Sequence, residues 1–266
     1  MQLKFLEVKL VETIRLGINL ANKRNYSFRN TREEINPMFP IGDTEVRGAK
    51  PGVITISLII MNVLVFLYEV TLSQPALEAF YSNYAVIPAE ITSGNHLYTL
   101  LTSMFLHGGW LHLIGNMLFL WVFGDNVEAV LGYVFYPLFY LAGGLAASAA
   151  HIVFNLGSTI PSLGASGAIA AILGAYIVMF PHSRVKVLYL TGYGVGIGRI
   201  TAILFLGIWF VTQLFNGIAS LGAPTAQTSG VAVWAHIGGF VFGLLIGFML
   251  RGRAGNLDFK TERASY

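Results

Sequence analysis

The sequence predicts an all-α membrane protein of six transmembrane helices with both termini on the cytoplasmic side. Three observations support this fold class: 55% of the 266 residues are hydrophobic, only 11% are charged, and the charged residues are confined to a few stretches. A soluble globular domain carries about 25% charged residues, so this chain has too few of them to cover a surface that faces water. The mean hydropathy of +0.66 agrees with this interpretation.

Six apolar stretches are candidates to cross a membrane, because a transmembrane helix needs about 20 mostly apolar residues. The predicted spans are residues 53–70, 106–123, 133–154, 163–180, 200–218 and 231–250. An even number of spans places both termini on the same side. The spans predict one membrane domain at 51–252, a cytoplasmic segment before it at 1–50 and a cytoplasmic tail after it at 253–266.

The basic residues determine which side is cytoplasmic. All 16 Lys and Arg lie within residues 1–50, 184–199 and 251–263, whereas the predicted external loops at 71–105, 155–162 and 219–230 contain none. Short cytoplasmic loops of membrane proteins carry an excess of Lys and Arg, so both termini are predicted to be inside. The net charge of +3 therefore reflects membrane orientation, and we expect a lipid bilayer but no nucleic acid as a partner.

The first 50 residues have a different character from the spans. Leu3, Leu6, Leu10 and Ile14 recur at helical spacing, which predicts an amphipathic helix over residues 1–26 on the inner membrane face or on a partner. Residues 27–50 combine turn residues with mixed charge and are predicted to be a linker.

Polar residues inside the predicted spans are the most informative, because burying such groups in a bilayer is costly and usually serves a function. The second span contains HGGWLHLIGN, with His107, His112 and Asn116. The fourth span opens with GASG around Ser166, and the sixth opens with AHIGG, which begins one residue before His236. These three spans enter the membrane from the outside. At a rise of 1.5 Å per residue, the side chains of His112, Asn116, Ser166 and His236 lie roughly 5–15 Å below the outer end of their spans.

The residue types in this set fit nucleophilic catalysis. A serine hydroxyl is a weak nucleophile until a base such as a neutral imidazole accepts its proton. His112 and Asn116 are four residues apart and share one helix face, from which they can donate hydrogen bonds to a developing oxyanion. The chain has no cysteine, and the three spans contain no carboxylate. The set therefore predicts a Ser–His dyad that uses Ser166 and one of these histidines, with no cofactor or metal.

Each of these features also has a structural explanation. A serine between glycines in a membrane helix often serves close helix packing, and an intramembrane asparagine can join two helices. Intramembrane histidines can form a proton relay, so a transporter or channel is an alternative function. Transporters usually have intramembrane acidic groups or inverted repeats, and we expect neither in this chain.

At these residues the sequence resembles the rhomboid family of intramembrane serine proteases. The motifs HGGWLHLIGN, GASG and AHIGGFVFG occur in the family's order and on the matching spans, and MFPIGD and FGDNVE are similar to bacterial members. The resemblance covers about residues 38–252. It implies a six-helix bundle in which Ser166 is the nucleophile, His236 is the base, and His112 and Asn116 help to form the oxyanion hole. It also implies single-pass membrane proteins as substrates and a bacterial inner or plasma membrane as the location.

Two positions depart from the family pattern. Leu97, Tyr98 and Thr99 stand where some members have a Trp-Arg pair, which concerns the anchoring of the first external loop. Ala170 stands where some members have an aromatic residue stacked on the catalytic histidine, so another group must orient His236. Trp234 and helix packing are the candidates for orienting the His236 ring.

A second alternative is a catalytically inactive rhomboid-like protein that binds membrane proteins and regulates them. Such relatives typically lack the serine or the histidine, and this chain has both.

Overall fold

The computed structural model describes residues 38–43, 52–191, 194–221 and 232–254. Within these ranges the helices are α1 (Val53–Thr71), α2 (Gln74–Tyr84), α3 (Pro88–Thr92), α4 (Thr99–Thr102), α5 (Trp110–Phe154), α6 (Ser166–Met179), α7 (Ala202–Ser220) and α8 (Val233–Ala254), with a 3₁₀ turn at Ser103–Phe105. The strands β1 (Met38–Gly42), β2 (Arg184–Thr191) and β3 (Gly194–Thr201) form one sheet in the order β1-β2-β3. The predicted helix at 1–26 and nearly all of the predicted tail lie outside the described residues.

Four helices of the described chain, α1, α5, α7 and α8, are long and apolar enough to cross a membrane. The 45-residue α5 contains the second and third predicted spans, and Gly132 interrupts it with φ 75° and ψ 169°. Glycine adopts such a backbone without steric cost. The span boundaries predict a connection at 124–132, and this prediction is wrong because the helix continues up to Gly132. The second span also begins later than predicted, at Trp110 instead of residue 106.

The fourth predicted span contains a short helix that is enclosed by the others. Helix α6 has 14 residues, which corresponds to about 21 Å and is less than the ~30 Å of a bilayer core. Its side chains are buried along nearly the whole helix, and it packs against α5, α7 and α8. A helix that is apolar on all sides is suited to such a position.

Glycines permit a very close approach between α6 and α8. A Cβ added to Gly239 would collide with the main-chain oxygen of Gly167, and a Cβ on Gly243 would collide with that of Ala171. Small residues let membrane helices pack backbone against backbone. This close packing brings the start of α6 next to the start of α8.

The start of α1 is held by a buried carboxylate from α5. Glu128 accepts hydrogen bonds from the main-chain N–H groups of Ile54 (3.0 Å) and Thr55 (2.8 Å), and from the Thr55 hydroxyl (2.8 Å). The first N–H groups of a helix lack partners within the helix and carry partial positive charge, so an acid stabilises them. The Tyr136 hydroxyl lies 3.1 Å from Thr55 Oγ1 and completes the cluster.

The all-α prediction is wrong for the three short strands. In β2 the buried Val185 and Val187 alternate with Arg184 and Lys186, which is the two-residue period of a strand. Most of the segment between the fourth and fifth predicted spans therefore lies in the strands β2 and β3.

The chain divides into two compact units. The larger unit comprises Pro40–Val187 and Arg199–Tyr266 and contains all the helices named above. Of the described residues, the smaller unit contains Met38, Phe39 and those between Leu188 and Gly198. In the smaller unit the ring of Tyr189 occupies the space that a Cβ on Gly196 would need.

Candidate active site

Ser166 is the first residue of α6 and follows an extended segment whose backbone is well bonded. Ser162 exchanges two main-chain hydrogen bonds with Val86, of 2.7 and 2.9 Å, and the N–H of Gly164 donates to the carbonyl of Ser103 (2.9 Å). Gly164 has φ +131°, a region that residues with a side chain rarely adopt. These bonds hold the segment against the loop between α1 and α5 and present Ser166 at the end of the short helix.

The structure brings Ser166 and His236 into hydrogen-bond contact. Ser166 Oγ lies 2.8 Å from His236 Nε2, although the two residues are 70 positions apart in the chain. A serine side chain is short, so this contact requires the close approach of α6 and α8 that Gly239 permits. A nucleophile and a base at 2.6–3.2 Å satisfy the geometric requirement for proton transfer.

The other edge of the His236 ring contacts α7, which the sequence analysis did not foresee. Nδ1 of His236 lies 2.9 Å from Oε1 of Gln213. One turn earlier on α7, the Trp209 ring centroid lies 5.8 Å from that of His236, with the ring planes tilted by 40°. Gln213 is a polar residue in the predicted span at 200–218, and its position among apolar neighbours was the signal that could have identified it.

The candidate Trp234 has other contacts. Its ring stacks on Phe154 with a centroid distance of 3.6 Å, and its Nε1 donates to Ser220 Oγ (3.2 Å). Ala170 is fully buried, and a Cβ on Gly239 would lie only 3.3 Å from the Ala170 Cβ. Helices α6 and α8 are therefore too close for an aromatic residue at position 170, and the aromatic neighbour of His236 comes from α7.

His112 contacts the segment that precedes Ser166, at Gly164. Its Nδ1 accepts a hydrogen bond from the main-chain N–H of Gly108 (3.3 Å), so the ring proton of the neutral imidazole is on Nε2. A Cβ built on Gly164 would lie 2.8 Å from His112 Nε2 and 3.7 Å from Ser166 Oγ. The Nε2–H donor of His112 is thus placed near the serine oxygen.

Asn116 lies one turn further along α5 on the same face as His112. It is 7% exposed, and its Nδ2 has no acceptor among the residues that the structure describes. A buried amide donor without a partner costs free energy, so its retention needs an explanation. One explanation is that this N–H group donates a hydrogen bond to a negative charge that is present only during a reaction.

His107 supports this region from the loop before α5. Its main-chain N–H lies 3.2 Å from each carboxylate oxygen of Glu69, and its carbonyl accepts from the Tyr81 hydroxyl (3.0 Å). Burial and the nearby Glu69 carboxylate raise the pKa of Tyr81 to about 12, so this hydroxyl stays protonated and donates. The His107 and His112 ring centroids are 5.1 Å apart. Glu69 lies within the first predicted span, so the expectation of no intramembrane acidic group is wrong.

A small cavity of about 30 Å³ lies next to Ser166. Small residues such as Gly144, Ala147 and Gly164 form much of its wall. His151, near the end of the third predicted span, also lines it. The polar wall continues with Ser148, so the cavity is not purely apolar.

The described residues contain no group of three or more His, Cys, Asp or Glu side chains that could hold a metal ion.

Comparison with known proteins agrees with the arrangement of these motifs. A family model described as the rhomboid domain matches residues 94–253. The chain is 30% identical over 161 residues to RHOMBOID-like protein 6, mitochondrial, and 32% identical over 161 residues to RHOMBOID-like protein 4, both from Arabidopsis thaliana. It is 33% identical over 168 residues to Rhomboid protease GluP from Bacillus subtilis.

The matched segments make up 60%, 60% and 58% of this chain and 46%, 36% and 32% of those relatives, respectively, so the chain spans less than half of their length. The domain match, in contrast, covers more than half of the 266 residues. Together with the multi-pass membrane helices, it shows that the chain belongs to the rhomboid family.

Proposed function

We propose that this protein is an intramembrane serine endopeptidase that cleaves transmembrane segments of single-pass membrane proteins. The observation that carries the proposal is the 2.8 Å contact between Ser166 Oγ and His236 Nε2. The rhomboid relatives support it, since one of them is named as a protease.

In the proposed acylation step, Ser166 Oγ attacks the carbonyl carbon of the scissile peptide bond while His236 Nε2 accepts the hydroxyl proton. Negative charge then develops on the carbonyl oxygen. The Nε2–H of His112 and the Nδ2–H of Asn116 donate to it, as does a main-chain N–H at the free start of α6. His236 returns the proton to the leaving amine, the C–N bond breaks, and an ester of Ser166 remains.

Deacylation uses the same groups in reverse order. His236 accepts a proton from water, the resulting hydroxide equivalent attacks the ester carbonyl, and the same donors stabilise the second oxyanion. The C–O bond to Ser166 breaks, and the proton on His236 returns to Ser166 Oγ. The products are a new carboxylate and the regenerated enzyme.

The substrate class follows from where such a site would lie. Helix α6 is shorter than the bilayer core is thick and the chain before it is extended, so Ser166 at its outer end would be recessed from the outer surface, within reach of a substrate's transmembrane segment. In a helix the carbonyl groups are bonded and enclosed, so the cleaved segment must be locally unwound. The small residues around the cavity leave room for a side chain next to the scissile bond.

The proposal includes the membrane topology. Six crossings, made by α1, the two arms of α5, α6, α7 and α8, would place both termini in the cytoplasm and make residues 51–252 the catalytic domain. The absence of Lys and Arg from the predicted external loops supports this orientation. The bacterial-type motifs favour a bacterial inner or plasma membrane.

A fluorophosphonate probe tests the dyad directly, because an unactivated serine hydroxyl barely reacts with it. We expect the purified protein to be labelled at Ser166 and the Ser166→Ala variant to be unlabelled. His236→Ala should slow labelling by about 10²–10⁴-fold, the usual contribution of a general base. Labelling should also fall as the pH drops, since a protonated imidazole cannot accept the serine proton.

Ser57→Ala is the matched control, because this exposed serine of α1 bonds only within its own helix turn, to the carbonyl of Val53. It should be labelled like the wild type. Full labelling of Ser166→Ala or His236→Ala would contradict the proposal and support the inactive-relative alternative. Cleavage of a reconstituted single-pass substrate by the wild type, but not by Ser166→Ala, tests the substrate class.

A further inference from the structure

We infer that Gln213 is a positioning residue that holds His236 in the tautomer and ring orientation needed to accept the Ser166 proton. This inference rests on the proposed function and assigns a part of the site to α7.

The His236 ring is held at two opposite edges. Nε2 faces Ser166 Oγ at 2.8 Å, and Nδ1 faces Gln213 Oε1 at 2.9 Å. An amide oxygen is an acceptor only, so this second bond exists only when Nδ1 carries the ring proton. A neutral imidazole has one N–H, and Nε2 therefore presents its lone pair to the serine hydroxyl. The contact with Gln213 selects the tautomer that acts as a base.

Other groups near His236 cannot replace this acceptor. Trp209 has only an N–H donor, and its ring lies beside the imidazole with a centroid distance of 5.8 Å. The titratable groups whose charge acts on His236 are His112 and His151, both from α5. The sequence of α7 contains no ionisable residue. Trp209 therefore restricts the tilt of the ring, while Gln213 determines where its proton is.

A neutral amide suits this position because of the surroundings. An ionised carboxylate inside a bilayer is expensive unless it is paired, whereas an amide accepts a hydrogen bond without burying a net charge. A neutral dipole also stabilises the transient imidazolium less than a carboxylate does. We therefore expect its removal to cost less than the ~10⁴-fold loss seen when a serine protease triad aspartate becomes asparagine.

The test compares two substitutions that keep nearly the same side-chain size and differ in whether they retain a hydrogen-bond acceptor. Gln213→Met removes the acceptor, and Gln213→Glu keeps an oxygen acceptor in place. For each variant the second-order rate constant of fluorophosphonate labelling is measured against pH, together with kcat and KM for a reconstituted substrate. Gln213→Met should lower the labelling rate and kcat ~10–10²-fold with little change in KM, because only the base is affected.

Gln213→Glu should restore most of the labelling at alkaline pH and move the acid limb of the profile to higher pH. A carboxylate beside Nδ1 favours the protonated ring, so more alkaline conditions are needed to free the base. A substitution that merely disturbed packing would not move the pH profile. The exposed Thr212, whose hydroxyl bonds the carbonyl of Trp209 in its own helix, gives the control Thr212→Val, which should behave like the wild type.

Wild-type labelling rates in Gln213→Met would overturn the inference, as would equal losses in both variants with an unchanged acid limb. If Gln213→Met lowers the thermal unfolding midpoint, Gln213→Leu is measured in its place and judged by the same criteria. Failure of the proposed function has a different signature, because the wild type would then be unlabelled or labelled independently of Ser166.

Discussion

At the scale of single residues, the proposed oxyanion hole includes a donor that has no partner among the described residues in the resting site. Asn116 Nδ2 is such a donor, and removing one oxyanion donor commonly costs about 10²–10³ in kcat, or roughly 3–4 kcal/mol. Asn116→Ala should therefore lower kcat by this factor in a reconstituted cleavage assay. KM should change little, since the interaction is made only when the oxyanion develops.

Asn62 provides the matched control, because it is also a buried intramembrane asparagine and its Nδ2 donates to the carbonyl of Leu58 one turn earlier (2.7 Å). Asn62→Ala should alter the thermal unfolding midpoint and leave kcat close to that of the wild type. An Asn116→Ala variant with nearly full kcat would mean that Asn116 is structural and that His112 and main-chain donors stabilise the oxyanion.

At the scale of elements, the site depends on how closely α6 and α8 approach. Gly243→Ala would direct a methyl group into the main-chain oxygen of Ala171, a contact that only a shift of one helix can relieve. Overpacking of this kind typically costs about 1–3 kcal/mol. We expect a lower unfolding midpoint in detergent and slower labelling of Ser166, because separating the helices lengthens its contact with His236.

Gly207→Ala is the control for this prediction. Gly207 lies in α7, and an added Cβ would meet no atom within 4 Å. Alanine is also favoured over glycine in a helix by up to about 1 kcal/mol. The midpoint should stay the same or rise. If Gly243→Ala were as stable and as reactive as Gly207→Ala, close packing of α6 and α8 would not be what aligns the dyad.

At the scale of the whole molecule, the topology can be tested in sealed cells. A tag before residue 1 should resist an external protease, whereas a protease site inserted in the loop at 71–105 should be cleaved. The reason is that all 16 basic residues lie outside the predicted external loops, and translocating them is unfavourable. Digestion of the N-terminal tag from outside, in cells whose cytoplasmic marker stays intact, would reverse the orientation and move the site to the cytoplasmic side.

The sequence alone determined the features that depend on local composition. Apolar length located the helices α1, α7 and α8 to within a few residues, because the bilayer imposes a minimum length on each crossing. The polar side chains within such stretches were conspicuous for the same reason. The resemblance to the rhomboid family paired Ser166 with His236 among these residues, and the structure places the two in contact.

The tertiary structure alone decided the features that depend on distances between helices. Helix rotation and separation decide whether α7 presents Gln213 to His236 and whether His151 reaches the cavity. They also decide whether Glu69 reaches the main chain of His107. Those quantities result from glycine contacts between residues far apart in the chain, such as Gly239 with Gly167. A span's hydropathy carries no information about them, because an apolar helix has the same composition whichever neighbour it faces.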